Sequence, residues 1–311
     1  MAILLKETPA TGGPGIVPRW TRSDKDGVGT AYSALSQVWF TVSKGILNEV
    51  YYPTIDRPQI RDLQYLITDG ETFFQDERHL DNTHELLAPD VLGYRIINAD
   101  TQGRYRIIKE VIADPHRDCV LVHTRLEADA ALLPKLRLFA LLAPHLEVGG
   151  WGNNGNVVRT NWGDVLAAHK GGTWLILSAS VPFSRCSCGY VGTTDGWQDL
   201  SHDFRMDWEF DSAPDGNIAL TGEIDIRQSQ EFVLALAFGD TLHHALVTSS
   251  QALGTPFADH RKRYIDEWHR AGEHLILGNE KATADGGHLY HVSHSLILAH
   301  EEKTYEGALI A

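Results

Sequence analysis

From residue 30 to residue 239 the chain is dominated by short runs in which hydrophobic and polar positions alternate. In one such run Val122 and Leu126 fall on one side of an extended chain, while His123 and Arg125 fall on the other. A period of two with polar residues on one side is typical of an antiparallel strand that is buried on one face. The pattern therefore predicts a mainly β fold.

Turn-forming residues separate these runs. Gly, Asn and Asp accept the positive φ angles of tight turns, so they predict hairpins and short loops between strands. Such clusters occur at Asp69-Gly70, Asp100–Gly103, Gly171-Gly172 and Pro214–Asn217. Roughly ten or more short strands with such turns predict a large antiparallel β-sandwich of two sheets. Residues 1–29 are rich in Pro, Gly, Thr and Ser, which predicts an irregular lead-in.

The hydrophobic spacing becomes helical after Gly239. A helix is predicted over Thr241–Leu253, and a second one begins at Thr255-Pro256 and runs to about Glu273. A loop with Gly278-Asn279 follows, and His288 to about Lys303 forms a third predicted helix. The last helix has an apolar stripe, and the chain then ends on an apolar run at residue 311, which is typical of a cut through a structural element.

Composition narrows the classes of function. The 311 residues carry 41 Asp and Glu against 27 Lys and Arg, a net charge of −14. We expect neither nucleic acid nor membrane as a partner, because both require basic surface or apolar spans. The first residues lack the basic and apolar regions of a signal peptide. As written the chain is expected in the cytoplasm, or outside the cell if the sequence is a trimmed piece of a secreted protein.

Metal and cofactor chemistry is not indicated. Cys119, Cys186 and Cys188 are too few for a disulfide framework and lack the usual zinc spacing, so we expect ordinary thiols. His291 and His294 could share a helix face, but no acidic or Cys partner supports a metal site at that spacing. No phosphate-binding loop, dinucleotide fingerprint or nucleophile elbow occurs, so no cofactor and no catalytic residue is predicted.

Two polar and aromatic segments are candidates for binding. Glu49 lies in the apolar, aromatic segment Asn48–Pro53, where it either faces solvent by alternation or makes a fixed polar contact. The loop Trp151–Gly155 combines an aromatic ring with two amides, Asn153 and Asn154. That loop is either a sugar-contacting platform or a plain connection between strands.

Several motifs in chain order resemble one enzyme family. They are Pro14–Trp20 in the lead-in, Gly27–Thr30, Val38–Thr41, the block Gly45–Pro53 followed by Asp56, Arg61–Leu63 and Asp69-Gly70, and, at the other end, Ala299–Tyr305 with Gly307-Ala308. The first blocks resemble the N-terminal domain of bacterial glucoamylases and glucodextranases, in glycoside hydrolase family fifteen. The last block resembles the first helix of that family's catalytic (α/α)₆ barrel.

The resemblance implies a β-sandwich domain over residues 1–240, a helical linker over 241–280, and the start of a truncated (α/α)₆ barrel over 281–311. It also implies a parent enzyme that releases glucose from α-glucan ends with inversion, using one carboxylic acid and one carboxylate. In the family both groups are barrel glutamates downstream of this chain. The chain alone is therefore expected to be inactive, with the barrel of the same polypeptide as its partner and α-glucan as that barrel's substrate. The alternative is a free-standing carbohydrate-binding or interaction module.

The resemblance also suggests where the domain faces its barrel. We expect an interface or a substrate-proximal surface at Asn48, Glu49, Tyr51, Tyr52, Arg61 and Asp62, and a sugar-contacting loop at Trp151, Asn153 and Asn154. Adjacent residues of a strand point to opposite faces, so one tyrosine fills the sandwich and the other points outward. The competing interpretation is that these side chains only complete the sandwich's own edge.

Overall fold

In the computed structural model, which describes residues 4–5, 8–273 and 283–310, two antiparallel sheets pack face to face. The predicted loop at Gly278-Asn279 lies outside the described residues. The strands are β1 Leu4–Leu5, β2 Gly27–Thr30, β3 Trp39–Ser43, β4 Ile46–Tyr51, β5 Ile60–Thr68, β6 Phe74–Asp76, β7 Asp81–Leu86, β8 Tyr94–Ala99, β9 Tyr105–Ala113, β10 Cys119–Ala128, β11 Arg137–Pro144, β12 Asn153–Thr160, β13 Gly163–Lys170, β14 Thr173–Ala179, β15 Phe183–Tyr190, β16 Ser212–Gly216, β17 Ile218–Ile224 and β18 Glu231–Gly239.

The helices are α1 Gly196–Asp203, α2 Leu242–Leu253, α3 Phe257–Gly272 and α4 His288–Ala299, with short 3₁₀ turns at Glu77–His79 and Leu146–Val148. Apart from the short α1, the α-helices described follow the last strand. The predicted two-sheet sandwich followed by helices is therefore confirmed. Among the described residues no helix is both long and apolar enough to cross a membrane.

The larger sheet, which we call sheet A, has the order β1-β12-β13-β14-β18-β10-β9-β8-β7, with β16 paired to β12. The smaller, sheet B, has the order β15-β17-β11-β5-β4-β3-β2, with β6 paired to β5. The inner faces of both sheets form one apolar core. Aromatic contacts cross this core: the ring of Tyr52, in the β4–β5 connection, is stacked on the ring of Phe238 of β18, with 5.1 Å between the ring centres. Such contacts fix how the two sheets face each other.

The outer faces of the central strands are also apolar and are covered by other segments. Helix α2 places Ala245 and Leu246 on Ile176 of sheet A. On sheet B, Leu200 of α1 and Met206 after it cover Leu66. Burial on both faces explains why central strands read as continuous apolar runs rather than as alternation.

Helix α3 closes one end of the sandwich through two large side chains one turn apart. The Tyr264 hydroxyl lies 2.8 Å from the carbonyl oxygens of Thr30 and Leu92, and Trp268 Nε1 donates to the Thr30 carbonyl at 3.0 Å. Because one strand end accepts from both side chains, the helix and β2 hold a fixed relative position.

Two helix ends differ from the sequence prediction. Thr255 does not cap α3; its hydroxyl instead donates to the Gln251 carbonyl at 3.4 Å, and Pro256 takes the cap position. Helix α4 ends at Ala299, not at Lys303, because residues after it turn back and Glu301 bridges to Leu309. The helix therefore ends with the last residue of its apolar stripe, Ala299, and the polar residues after it are held by pairing within the following segment.

A buried ion pair joins the two sheets. Lys109 of β9 lies 2.5 Å from Glu77, and both side chains are almost fully buried. Glu77 also accepts from the Tyr65 amide of β5 at 2.8 Å and from Asn98 Nδ2 of β8 at 2.5 Å. Burial lowers the pKa of Lys109, while Glu77 beside it acts in the opposite direction. The carboxylate thus has partners from both sheets.

Breaking this pair from one side is expected to be costly. Lys109→Met leaves the Glu77 charge buried without its cation, so the free energy of unfolding should fall by about 3–5 kcal/mol in urea titrations. Adding Glu77→Gln should recover part of that loss. The control Lys262→Met removes an exposed lysine paired with Asp266 on α3 and should change stability by less than about 1 kcal/mol. Equal losses of stability in Lys109→Met and Lys262→Met would contradict a stabilising role of the buried pair.

Candidate functional site

Five of the six residues predicted as an interface lie on the neighbouring strands β4 and β5, and the sixth, Tyr52, directly follows β4. The lead-in segment binds three of the six. Thr21 Oγ1 donates to Asp62. Asn48 Nδ2 donates to the Arg22 carbonyl at 3.3 Å. Lys25 Nζ lies 2.9 Å from Glu49 Oε2. Residues 21–25, which we call the strap, are therefore held on sheet B by polar side chains.

Glu49 makes a fixed polar contact, the second of the two alternatives left open by the sequence. Besides Lys25, its Oε2 accepts from the Tyr51 hydroxyl at 2.5 Å. Burial raises the pKa of Tyr51 well above its ordinary value, and the bond to Glu49 adds to the increase. Tyr51 is therefore a neutral donor at physiological pH, and the carboxylate is shared between a hydroxyl and an ammonium group.

Asp62 is buried and paired within its own strand. Arg61 donates from Nε to Asp62 Oδ2 at 3.0 Å and from Nη2 to Oδ1 at 3.4 Å. Burial acts to raise the pKa of Asp62, but Arg61 and Thr21 outweigh it, so the pKa lies below its ordinary value. The group stays ionised and fastens the strap to the sheet.

The two adjacent tyrosines face opposite sides. Tyr52 is in the core between the sheets, stacked on Phe238, and burial raises its pKa to about 12. Tyr51 lies outside that core and lines a cavity of about 340 Å³, together with Trp39, Ile55 and Ile310. That cavity separates the β2–β4 edge from the end of α4 and the segment after it.

The segment after α4 is fastened to the same edge. Glu302 Oε2 accepts from the Ile55 amide at 3.0 Å. Lys303 Nζ donates to Thr30 Oγ1 at 2.7 Å and to the Ser36 carbonyl at 2.5 Å, and it lies 4.8 Å from the centre of the Trp39 ring. Burial lowers the pKa of Lys303 to about 7 against the opposing effect of nearby carboxylates. Residues 302–303 are thus part of the sandwich's packing.

The other side of this region is apolar and open. Ser295 and Ala299 of α4 are buried, with Ser295 Oγ donating to the Asp90 carbonyl at 2.7 Å. In contrast, four large apolar side chains of α4 and the following segment are more than half exposed: Leu289, Ile297, Tyr305 and Leu309. Two of these residues lie on α4 and two in the segment after it, and exposed apolar residues that are close in the chain mark an interaction surface more often than scattered ones do.

The segment 151–155 is a loop only up to Gly152, because β12 begins at Asn153, and its two amides are used internally. Asn153 accepts from the Leu146 amide at 2.9 Å and donates to the Gly149 carbonyl at 3.0 Å. Asn154 accepts from the Asp215 amide at 3.1 Å. Trp151 remains exposed. The predicted sugar contact therefore stays a prediction, with Trp151 as the side chain that is available for it.

Among the described residues no group of three or more His, Cys, Asp or Glu side chains is arranged to hold a metal ion. Cys119, Cys186 and Cys188 are buried and form no disulfide among the described residues. Burial raises the pKa of the Cys119 and Cys188 thiols well above the ordinary value, so these two are protonated and unreactive.

Sequence reasoning missed several residues of this surface. Lys25 and Lys303 give no signal because their partners are distant in the chain. Gln64 does carry one, since it is a polar residue at a buried position of an apolar strand. It lines a second cavity, of about 300 Å³, between the lead-in and sheet B, together with Trp20 and Trp197.

The fold is a large antiparallel sandwich whose outer faces are covered by helices and whose C-terminal helix exposes large apolar side chains. The sequence profile of the family described as "glucodextranase, domain N" matches residues 10–271. This chain belongs to that family.

Known proteins similar to this chain agree with that assignment. A glucoamylase from Clostridium sp. (strain G0005) is 34% identical over 303 residues, which is 97% of this chain and 42% of that protein. The crystal structure of a bacterial glucoamylase complexed with acarbose superposes with a TM-score of 0.94 at 33% identity, covering 100% of this chain and 46% of that one. A glycosyl hydrolase of family GH92 shares only the fold, with a TM-score of 0.58 at 10% identity over 94% of this chain and 40% of its own. The chain thus spans less than half the length of these proteins.

The strap contact at Asp62 has a pH signature. A carboxylate whose pKa is lowered on folding stabilises the fold above its unfolded pKa of about 3.9, and this contribution is lost as the pH falls towards the folded pKa. Asp62→Asn should therefore lower the free energy of unfolding by about 1–3 kcal/mol at neutral pH. The difference in the free energy of unfolding between this variant and the wild-type chain should become smaller below about pH 4.

Urea titrations across pH 3–7 measure this difference. The control is Asp129→Asn at an exposed turn, which should change stability little at any pH. A loss at Asp62→Asn that is constant with pH would contradict an ionised, strap-bound carboxylate.

Proposed function

We propose that this chain is the accessory N-terminal domain of an inverting, exo-acting α-glucan hydrolase of the glucoamylase or glucodextranase type. It docks and supports a catalytic (α/α)₆ barrel in the same polypeptide, and α-glucan is bound by that barrel. The proposal rests on the fact that α4 and the segment after it both pack on the sandwich and expose large apolar side chains. One side is fastened to the sandwich through Ser295, Glu302 and Lys303, and the other exposes large apolar side chains.

We propose the following division of the chain, which the two-sided contacts of α4 support. Residues 1–240 form the sandwich domain, 241–280 the helical linker and 281–311 the first part of the barrel. Helix α4 then belongs to both units, because its inner side packs on the sandwich and its outer side is left for further barrel helices. Packing on both sides would also stabilise α4, because a lone helix of this length is marginal in water.

The barrel is expected to face the β2–β4 edge. This edge carries Tyr51 and Ile55, whose cavity is closed on the far side by Ala299 and Ile310. A neutral tyrosine suits a covered surface because its ring is buried while its hydroxyl keeps a hydrogen bond, here to Glu49. Asn48, Arg61 and Asp62 support the interface indirectly by fastening the strap beside it.

The isolated chain should not hydrolyse α-glucans. Inverting hydrolysis needs an acid and a base that flank the scissile bond with room for water, and the proposal assigns both to the barrel. Incubating the purified chain with maltose, isomaltose, starch or dextran should release no glucose above the buffer blank. Release that is abolished by replacing an acid within residues 1–311 would contradict the proposal.

Docking can be tested in a chimera. This chain replaces the aligned region of the Clostridium sp. glucoamylase, and Ile297→Lys is introduced. A lysine in a covered apolar contact leaves a charge poorly solvated, so glucose release and the midpoint of thermal unfolding should fall. A loss of about 1.4 kcal/mol of docking free energy corresponds to about tenfold less docked enzyme. The matched control is Trp162→Lys, because Trp162 and Ile297 are 61% and 59% exposed.

Two comparisons make the result decisive. In the 311-residue chain alone, Ile297→Lys should leave stability unchanged, since the side chain is exposed there. Tyr51→Ala in the chimera should lower kcat/KM by weakening the same interface. If both chimeras behave like the Trp162→Lys control, the barrel does not dock on this surface and the proposal is wrong.

A further inference from the structure

A cleft lies between the lead-in and the outer face of sheet B, outside the sandwich core. It encloses about 300 Å³, the lower end of the range for small-molecule sites. Two aromatic rings, three guanidinium groups, two carboxamides and one carboxylate contribute to its lining, among them Trp20, Arg61, Gln64, Arg78, Trp197 and Gln198. These six side chains come from four separate parts of the chain, namely the lead-in, β5, the 3₁₀ turn after β6, and α1.

Two buried polar atoms at this cleft lack partners. Gln64 is 2% exposed, and its Oε1 has no hydrogen-bond partner among the described residues. The same holds for the indole Nε1 of Trp197, which is also buried. Unpaired buried polar groups are rare in folded proteins because each loses its water without replacement. An acceptor and a donor left unpaired in one cleft match a ligand that both donates and accepts hydrogen bonds.

Arg61 and Arg78, the two guanidinium groups of the lining that are not exposed, are already paired with carboxylates. The third, Arg19, is exposed, and Asp195 accepts from backbone amides at and just before the start of α1. Arg61 is paired with Asp62. Arg78 is paired with Asp76, to which it donates from Nε at 3.0 Å and from Nη2 at 2.6 Å. Each of these two guanidinium groups has five N–H donors and gives only part of them to its carboxylate. The remaining donors therefore favour neutral hydroxyl oxygens, because a charged ligand would disturb two existing pairs.

Trp20 gives the cleft an apolar surface. It is 41% exposed, although a tryptophan buries a large apolar area when it is covered. Its ring is fixed from one side by an edge contact with His145 at 4.7 Å. A held, partly exposed indole beside hydrogen-bonding groups matches a pyranose ring, which has flat C–H faces and hydroxyls around its rim.

We propose that this cleft binds one or two pyranose units of a neutral oligosaccharide, with a ring packed against Trp20 and hydroxyls bonded to Gln64, Trp197 and the free guanidinium donors. The choice of an α-glucan as the oligosaccharide rests on the proposed function of the parent enzyme. Binding at this cleft would give the domain a hold on the polymer that the proposed parent enzyme shortens.

The test is a titration of the 311-residue chain with maltotriose, followed by calorimetry and by tryptophan fluorescence. Trp20→Ala should weaken binding about tenfold or more, the size of effect found for central aromatic contacts. The matched control is Trp162→Ala, an exposed tryptophan in the turn between β12 and β13, and it should bind like the wild-type chain. No measurable binding by the wild-type chain would overturn the proposal.

Gln64→Met separates a binding role from a structural one. Methionine has a similar shape and removes the unpaired carboxamide, so the variant should be as stable as the wild-type chain or more stable. Its affinity for maltotriose should nevertheless fall about tenfold. Binding that is unchanged in both Gln64→Met and Trp20→Ala places the sugar elsewhere and refutes the cleft. That failure leaves the docking proposal intact, because docking is measured by the Ile297→Lys chimera.

Discussion

Both faces of the central strands carry apolar side chains, so both faces of each sheet have to be covered by other parts of the chain. The inner faces cover one another, and contacts such as Tyr52 on Phe238 fix how they meet. The outer faces need additional segments, which are α2 on sheet A and α1 with its loop on sheet B. Because apolar burial is the main favourable contribution to folding, these coverings are part of the sandwich rather than additions to it.

The same requirement explains the polar groups inside the layers. A charge that is buried has to be paired, and Glu77 with Lys109 and Asp62 with Arg61 meet that condition through several hydrogen bonds each. These pairs join the two sheets and fasten the strap. Gln64 and Trp197 do not meet the condition among the described residues. Other buried polar atoms of the described residues also lack a partner, among them Trp39 Nε1 and Asn98 Oδ1, so the proposed role of Gln64 and Trp197 depends on their position at the cleft.

The C-terminal region connects the sandwich to the proposed function. Thr30 at the end of β2 accepts from Trp268 at its carbonyl and from Lys303 at its hydroxyl, so α3 and the segment after α4 converge on one strand end. A part of the chain that is fastened at several buried points cannot swing freely. The exposed apolar side of α4 is therefore presented in one direction, as a docking surface requires.

The sequence by itself determined the fold class, because period-two runs, turn residues and the later helical spacing each have a local cause. It also singled out Asn48–Pro53 and predicted that its two tyrosines face opposite ways. It could not find the partners of Glu49 and Asp62, since Lys25 and Thr21 lie 24 and 41 positions away and only the folded sheet brings them together. The end of α4 and the cleft at Gln64 were likewise decided by tertiary packing. Local pattern fixes which face of a strand is apolar, but the chain that covers that face, and the polar atoms it leaves unpaired, depend on contacts between distant residues.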